Sequence, residues 1–397
     1  MNNSLSERIN SLPTSQTLAM AAKAKELKQQ GLDIISLSLG EPDFNTPSFI
    51  KNAAIDAINE NYNGYTPVPG YDDLREAIAK KLKRDNDLSY EASQVVVSTG
   101  AKQALANAVL SLVNPGDEVL LPAPYWVSYD AMVQLAEGVS VEIPTSIATD
   151  FKISPKQLED AITPKTKLLF FNSPNNPSGS VYSEEEYKAL GKVLEKHPDI
   201  YIISDEIYEH ILYEGKTFSF ANVPNMYERT ITVNGVSKAF AMTGWRVGYI
   251  AAPLWIAKAC TKMQGQFTSG TNCIAQRATI AAMEAPVSSI NYMVKDFAKR
   301  RELIINLLSK IKGFKLNKPS GAFYVFPDIS YYFGRTIKGV KVANANDFAM
   351  LLLEKALVAT VTGDAFGAPE CIRFSYAASS AAIEEAVKRI AALLEEN

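Results

Sequence analysis

Histidine and cysteine are scarce in this sequence: two histidines, His197 and His210, and three cysteines, Cys260, Cys273 and Cys371, stand among 397 residues. The cysteines are scattered, odd in number and free of any C-x-x-C pair. That pattern excludes a disulfide framework and a thiolate zinc site, and buried free thiols are expected instead. Two histidines are too few for a metal centre or a histidine-based triad. His197, before Pro198, falls at an expected helix end where a cation suits the dipole, and His210 lies in an apolar segment where a packing role is expected. No apolar run approaches the roughly 18 residues of a membrane span. The start, Met1-Asn2-Asn3-Ser4, lacks the charged and apolar regions of a signal peptide. Basic residues number 40 and acidic residues 43, for a net charge of -3 with no basic block. Nucleic acid is therefore a poor partner, and a cytoplasmic protein is expected.

What is present is apolar: 47% of the chain, enough for a large core. The middle of the chain alternates short apolar strands with amphipathic helices. Strands are expected at 94–97, 119–121, 139–143, 167–171, 201–204, 231–233 and 247–250. A helix is expected from about Ala101 to Val113, stopped by Asn114-Pro115-Gly116. Ser183 with Glu186 makes a capping box that opens another helix, reaching about Lys196. This alternation predicts an α/β fold with a mainly parallel sheet covered on both faces. After about residue 290 the pattern changes. A long helix from Asn291 to Ile311 precedes strands at 322–326 and 371–374, and a closing helix spans Ser380 to Leu394. The expected organisation is a large domain, 47–290, and a smaller α+β domain built from 1–46 and 291–397. The first part of that smaller unit carries a helix, Leu18 to Lys28, and a strand, Ile34 to Leu39.

Ligands of α/β sheets gather at the carboxyl ends of the strands, and four such ends carry candidate chemistry. Ser98-Thr99-Gly100-Ala101-Lys102 opens a helix whose N–H groups suit a phosphate, yet it is neither a Walker A loop nor a G-x-G-x-x-G fingerprint. Asn172-Ser173-Pro174-Asn175-Asn176-Pro177-Ser178-Gly179 has turn composition and offers an asparagine amide to the cleft. Asp205 directly follows an apolar strand, either as a helix cap or as partner to a buried cation, and Tyr208 shares its face if a helix begins there. Lys238 lies among small and apolar neighbours, where a lysine is ordinarily a snorkelling surface residue. Here the setting suits a depressed amine pKa, and Arg246 adds a fork suited to phosphate.

The stretch Gly235-Val236-Ser237-Lys238 to Gly248 resembles the cofactor-lysine signature of class I aminotransferases. Four further motifs resemble the same family in the same order: Gly64-Tyr65-Thr66-Pro67-Val68-Pro69-Gly70, Ala123-Pro124-Tyr125-Trp126, Asn175-Asn176-Pro177 and Asp205-Glu206-Ile207-Tyr208. The resemblance covers essentially the whole chain and is strongest to the bacterial aspartate-aminotransferase-like subgroup. It implies a fold-type I architecture and the cofactor pyridoxal 5′-phosphate (PLP), carried as an aldimine on Lys238. It implies ping-pong transfer of an amino group from an L-amino acid, aspartate first, to 2-oxoglutarate.

The resemblance assigns Lys238, Asp205 and Tyr208 to catalysis. Asp205 pairs with the pyridine nitrogen, and Tyr208 and Asn176 donate to the ring oxygen. Trp126 stacks on the ring. Gly100, Ala101, Lys102, Ser237 and Arg246 hold the phosphate, with Tyr65 reaching it from the neighbouring subunit of a homodimer. Gly40, Trp126, Asn176 and Arg373 bind the substrate, Arg373 by clamping its α-carboxylate. No metal is implied. A residue for a side-chain carboxylate is not marked, since Arg277 and Lys262 are expected to be structural. The alternatives are a PLP-dependent β-lyase or a broad-specificity aminotransferase on the same scaffold. A ligand-sensing regulator lacks its DNA-binding domain here, and a dehydrogenase lacks its glycine fingerprint.

Overall fold

Strand Thr166–Asn172 shows how this sequence builds its centre. Leu168 and Phe170 point into a cluster with the helix Ala101–Leu112, whereas Leu169 and Phe171 point into a second cluster with the helix Glu184–Leu194. A strand with a helix layer on each side reads as a continuous apolar run. Each such side chain contributes about 1.5–3 kcal/mol by leaving water.

The computed structural model describes residues 5–12 and 16–395. Met1-Asn2-Asn3-Ser4, where no signal-peptide pattern is expected, lies outside them. Strands in chain order are β1 (Ile35–Ser36), β2 (Val95–Ser98), β3 (Glu118–Pro122), β4 (Val139–Ile143), β5 (Thr166–Asn172), β6 (Tyr201–Asp205), β7 (Thr230–Gly235), β8 (Gly248–Ala251), β9 (Tyr324–Val325), β10 (Thr336–Ile337), β11 (Val340–Lys341), β12 (Val358–Ala359), β13 (Val361–Thr362) and β14 (Ile372–Ser375). The central sheet has seven strands in the order β2-β8-β7-β6-β5-β3-β4. All its pairs are parallel except those of β8, which lies antiparallel between β2 and β7. The mainly parallel, two-sided sheet expected from the sequence is therefore present. The Ser183 capping box is present too: Ser183 Oγ accepts from Glu186 N at 3.3 Å, and Glu186 Oε2 accepts from Ser183 N at 2.7 Å.

A three-stranded antiparallel sheet, β13-β14-β9, forms in the C-terminal part, and β1 pairs in parallel with β12. This pairing fixes the segment before residue 47 against the last third of the chain. The expected strand Ile34–Leu39 shrinks to β1, whose partner β12 is two residues long, and beyond it the Ser38 carbonyl accepts Arg373 Nη2 at 2.6 Å. The expected strand 322–326 shrinks to β9, since Ala322 has φ 55°, outside extended geometry. The helix expected to run to Ile311 stops at Leu308. Cys260 and Cys371 are buried thiols, but Cys273 is only half-buried, because it occupies the exposed first position of a helix. His210 is largely covered, with its side chain 12% exposed and Nε2 3.4 Å from Glu209 Oε1. His197 follows a helix that already ends at Leu194.

Candidate active site

The carboxyl ends of β5, β6 and β7 and the start of the helix after β2 converge on one cavity of about 260 Å³. Its walls include Gly40, Ala101, Lys102, Trp126, Asn176, Asp205, Tyr208, Ser237, Lys238, Arg246 and Arg373. Thus residues spread over more than 300 positions of sequence meet in a single space.

Asp205 closes β6 and is 4% exposed. Its Oδ2 accepts from the Tyr129 hydroxyl at 2.7 Å and its Oδ1 from Ile207 N at 3.2 Å. Burial nevertheless raises its pKa to about 6, the two hydrogen bonds opposing the shift. No helix begins after Asp205, so of the two roles left open for it the helix cap does not apply. A turn over 207–210 follows, held by Glu209 N to Glu206 O at 2.9 Å and Ile211 N to Tyr208 O at 2.8 Å. This turn, rather than a shared helical face, returns Tyr208 to the cavity. Asn172, at the end of β5, braces the neighbouring loop: its Nδ2 donates to the Asp205 carbonyl at 2.8 Å and its Oδ1 accepts from Asn176 N at 2.9 Å.

Beneath the turn lies a buried polar cluster. Glu209 pairs with Lys81 and accepts Asn86 Nδ2 at 2.6 Å and Asn234 Nδ2 at 2.7 Å. Burial pushes Glu209 upward, yet Lys81 and His210 outweigh it and hold its pKa down at about 2. Asn234 also takes Gly235 N onto its Oδ1 at 2.7 Å, which fixes the start of the loop that carries Lys238.

Lys238 directs Nζ to the Gly40 carbonyl at 2.6 Å. Burial lowers its pKa to about 8, with the positive charge of Arg373 adding to the effect. An amine in this range is neutral in a sizeable fraction at physiological pH and therefore nucleophilic. Tyr208 lies with its hydroxyl 2.8 Å from that of Tyr324.

Arg373, on β14, is 2% exposed. It donates through Nη1 to Asn176 Oδ1 at 2.9 Å and through Nη2 to Ser38 O at 2.6 Å. Its guanidinium lies over the rings of Tyr324, 4.6 Å away, and Phe366, 5.0 Å away. Arg373 Nε is buried without a hydrogen-bond partner among the described residues.

The other end of the cavity is cationic. Gly100 has φ 80° and precedes the helix Ala101–Leu112, which no side chain caps. A Cβ on Gly100 would stand 2.3 Å from Arg246 Nη2, so the missing side chain is what lets the guanidinium lie against the helix start. Arg246 Nη1 donates to Thr243 O at 2.9 Å. Trp126 meets the Tyr129 ring edge-on at 5.6 Å, and Lys102 Nζ stands 4.9 Å from the Trp126 ring centre.

Tyr65 lies outside this cavity and is fully exposed. Arg277 pairs with Asp73 and lies over Tyr62 at 4.8 Å, and neither it nor Lys262 lines the cavity. Sequence reading did not single out Tyr129, Tyr324, Ser38 or Thr243. No motif marks Tyr324, which occupies one position of an ordinary apolar strand, although Tyr129 stands three residues beyond Trp126 at the opening of a helix.

A model of the family described as aminotransferase class I and II matches residues 32–390. A protein of Petunia hybrida named bifunctional aspartate aminotransferase and glutamate/aspartate-prephenate aminotransferase is 49% identical over 392 residues, covering 98% of this chain and 82% of its own. An aspartate/prephenate aminotransferase of Nitrosomonas europaea is 48% identical over 396 residues, covering 98% of this chain and 99% of its own. Among solved structures, the aspartate aminotransferase of Rhizobium meliloti superposes with a TM-score of 0.95 at 42% identity, covering 98% of both chains. That of Thermus thermophilus with maleate gives 0.93 at 42% identity over 99% of this chain and 100% of its own.

Proposed function

Since this chain belongs to the class I and II aminotransferase family and is an aminotransferase, we propose that it works with PLP held at Lys238, passing the amino group of an L-amino acid, aspartate first, to 2-oxoglutarate in a ping-pong cycle. The observation that carries this reading is the meeting of a buried amine, a buried carboxylate and two guanidinium groups in one cavity.

The residues present suit that cofactor. Arg246, the uncapped helix start at Gly100, Ala101 and Lys102, and Ser237 make an anion cradle for its phosphate. Asp205 offers a buried carboxylate to a ring nitrogen, and Tyr208 and Asn176 offer polar groups to a ring oxygen. Trp126 offers an aromatic face. When bound, PLP supplies a carbonyl that condenses with amines and a ring that withdraws electrons from the substrate Cα.

The chain's own residues then do the following. Lys238 Nζ, half neutral at its pKa of about 8, would hold the cofactor and, once the substrate amine displaces it, would take the proton from the substrate Cα. Asp205, once ionised, would stabilise a protonated ring nitrogen of the bound cofactor. Arg373 takes the α-carboxylate in a bidentate grip, with the Gly40 backbone alongside. That grip fixes which bond at Cα is weakened.

Aspartate and prephenate, named for the relatives, both carry a second carboxylate. Four cations line the cavity: Lys102, Lys238, Arg246 and Arg373. Lys238, Arg246 and Arg373 already have roles, and Lys102 serves the phosphate cradle through its backbone only, so its side chain is the cation we assign to that carboxylate. The β-lyase alternative finds no support among the relatives.

The remaining parts of the proposal concern assembly. The chain is divided into a large unit, 47–290, and a small unit, 1–46 with 291–397. It pairs with a second copy, and the exposed Tyr65 reaches that copy's phosphate cradle. A cytoplasmic location belongs to the same reading. Among the described residues, no helix is long and apolar enough to cross a membrane.

The test is a half-reaction. PLP-loaded enzyme is mixed with single amino acids, without any 2-oxo acid, and its visible absorption is followed. Rapid bleaching by aspartate and glutamate, restored by 2-oxoglutarate, is expected. Release of pyruvate and ammonia from a sulfur amino acid, with no response to aspartate, would overturn the reading.

A further inference from the structure

Tyr324 touches three of the residues to which the proposed function gives roles. Its hydroxyl is 2.8 Å from that of Tyr208, and its ring lies 4.6 Å from the Arg373 guanidinium. A Cβ on Gly40 would fall 2.3 Å from the Tyr324 hydroxyl, so that oxygen also abuts the residue whose carbonyl receives Lys238. Tyr324 is 1% exposed and comes from β9, in a different sheet from the strand that leads to Tyr208. Burial pushes both phenols upward in pKa, so both remain protonated.

A phenol has one proton to give and lone pairs to receive. If Tyr208 spends its proton on the ring oxygen of the cofactor, the proton between the two phenols comes from Tyr324. A donor behind a donor strengthens it, because hydrogen bonds in a chain polarise one another. We propose that Tyr324 is a positioning residue that donates to Tyr208 and thereby sets the proton affinity of the nitrogen joining Lys238 to PLP. The inference rests on the proposed function. Stronger donation from Tyr208 stabilises negative charge on the ring oxygen, and so makes the neighbouring nitrogen give up its proton at lower pH. The Tyr324 ring separately supports Arg373, and Tyr324→Phe leaves that support and the packing in place.

The experiment is a titration of visible absorption, without substrate, in PLP-loaded wild-type enzyme, Tyr324→Phe, Tyr208→Phe and the double variant. Tyr324→Phe should raise the titration midpoint by about half to one pH unit, the equivalent of one ordinary hydrogen bond. It should add nothing further once Tyr208 is phenylalanine, and KM for aspartate should stay within about twofold, as the Arg373 support is retained. An unchanged midpoint in Tyr324→Phe, or the same shift with Tyr208 absent, overturns the proposal. A wild-type enzyme with no visible band at all after loading with PLP overturns the proposed function and this inference with it, whereas a visible band whose midpoint ignores Tyr324→Phe overturns this inference alone.

Discussion

Arg373 Nη1 donates to Asn176 Oδ1 at 2.9 Å, joining β14 of the C-terminal sheet to the loop that leaves β5 of the central sheet. The contact spans 197 positions of sequence, and it ties the residue proposed to clamp the substrate carboxylate to the loop proposed to face the cofactor. Replacing Arg373 by alanine removes a buried charge that a substrate carboxylate would meet, an effect on the order of 3–5 kcal/mol. The expected result is a rise of about 100-fold or more in KM for aspartate and for 2-oxoglutarate, measured by steady-state kinetics, with PLP still bound. Arg373→Lys should recover only part of the loss, since an ammonium cannot copy the fork.

Asp205 gives a pH dependence whose sign follows from its raised pKa of about 6. Between the ordinary carboxylate value of 3.8 and about 6, the folded cofactor-free protein holds a proton that the unfolded chain has lost. This group therefore makes the apoprotein less stable as pH rises through that window. A cationic ring nitrogen beside Asp205 reverses the preference, so PLP binding expels the proton. The affinity of wild-type protein for PLP, relative to Asp205→Asn, should climb from pH 5 to about pH 6–7 and then level off. Equilibrium dialysis across that range checks it. Parallel curves for the two proteins would exclude the role given to Asp205.

The strand and helix pattern of the central sheet was legible because β5 and its neighbours are short apolar runs bounded by turn residues and cappers such as Ser183. The antiparallel insertion of β8 was not legible, since a strand's direction leaves no mark in its own composition. Site residues at strand ends, such as Asp205 and Lys238, were legible by place and by family motif. Tyr324 was not, because its meaning lies in a contact with Tyr208 across 116 positions. The sequence leaves open whether a helix begins after Asp205; a turn forms there, and Glu209 within it pairs with Lys81 and accepts from Asn234.

Gly100 is where the Arg246 guanidinium lies against the start of the helix Ala101–Leu112. At φ 80° an alanine is strained, and its Cβ would displace the Arg246 guanidinium from the helix start. Gly100→Ala should lower stability by about 1–2 kcal/mol, from the backbone conformation alone. It should weaken PLP binding by about tenfold or more through the loss of one charge-assisted contact. Urea unfolding of the apoprotein and a PLP titration measure the two effects separately.

Lys102 carries the prediction for substrate choice. Burial, and then the charge of Arg246, lower its pKa, while its Nζ remains over Trp126 at the cavity wall. Lys102→Ala should raise KM for aspartate by about 10- to 100-fold, the range of one charged hydrogen bond, and leave the half-reaction with a monocarboxylic amino acid nearly unchanged. Equal losses for both kinds of substrate would place Lys102 in the cofactor cradle alone.

The whole account depends on a single amine beside the Gly40 carbonyl. Borohydride reduction of the PLP-loaded enzyme, followed by peptide mapping, tests it most directly. The label should appear on the peptide containing Lys238 and vanish in Lys238→Ala. A label on any other lysine, or none at all, would contradict the account.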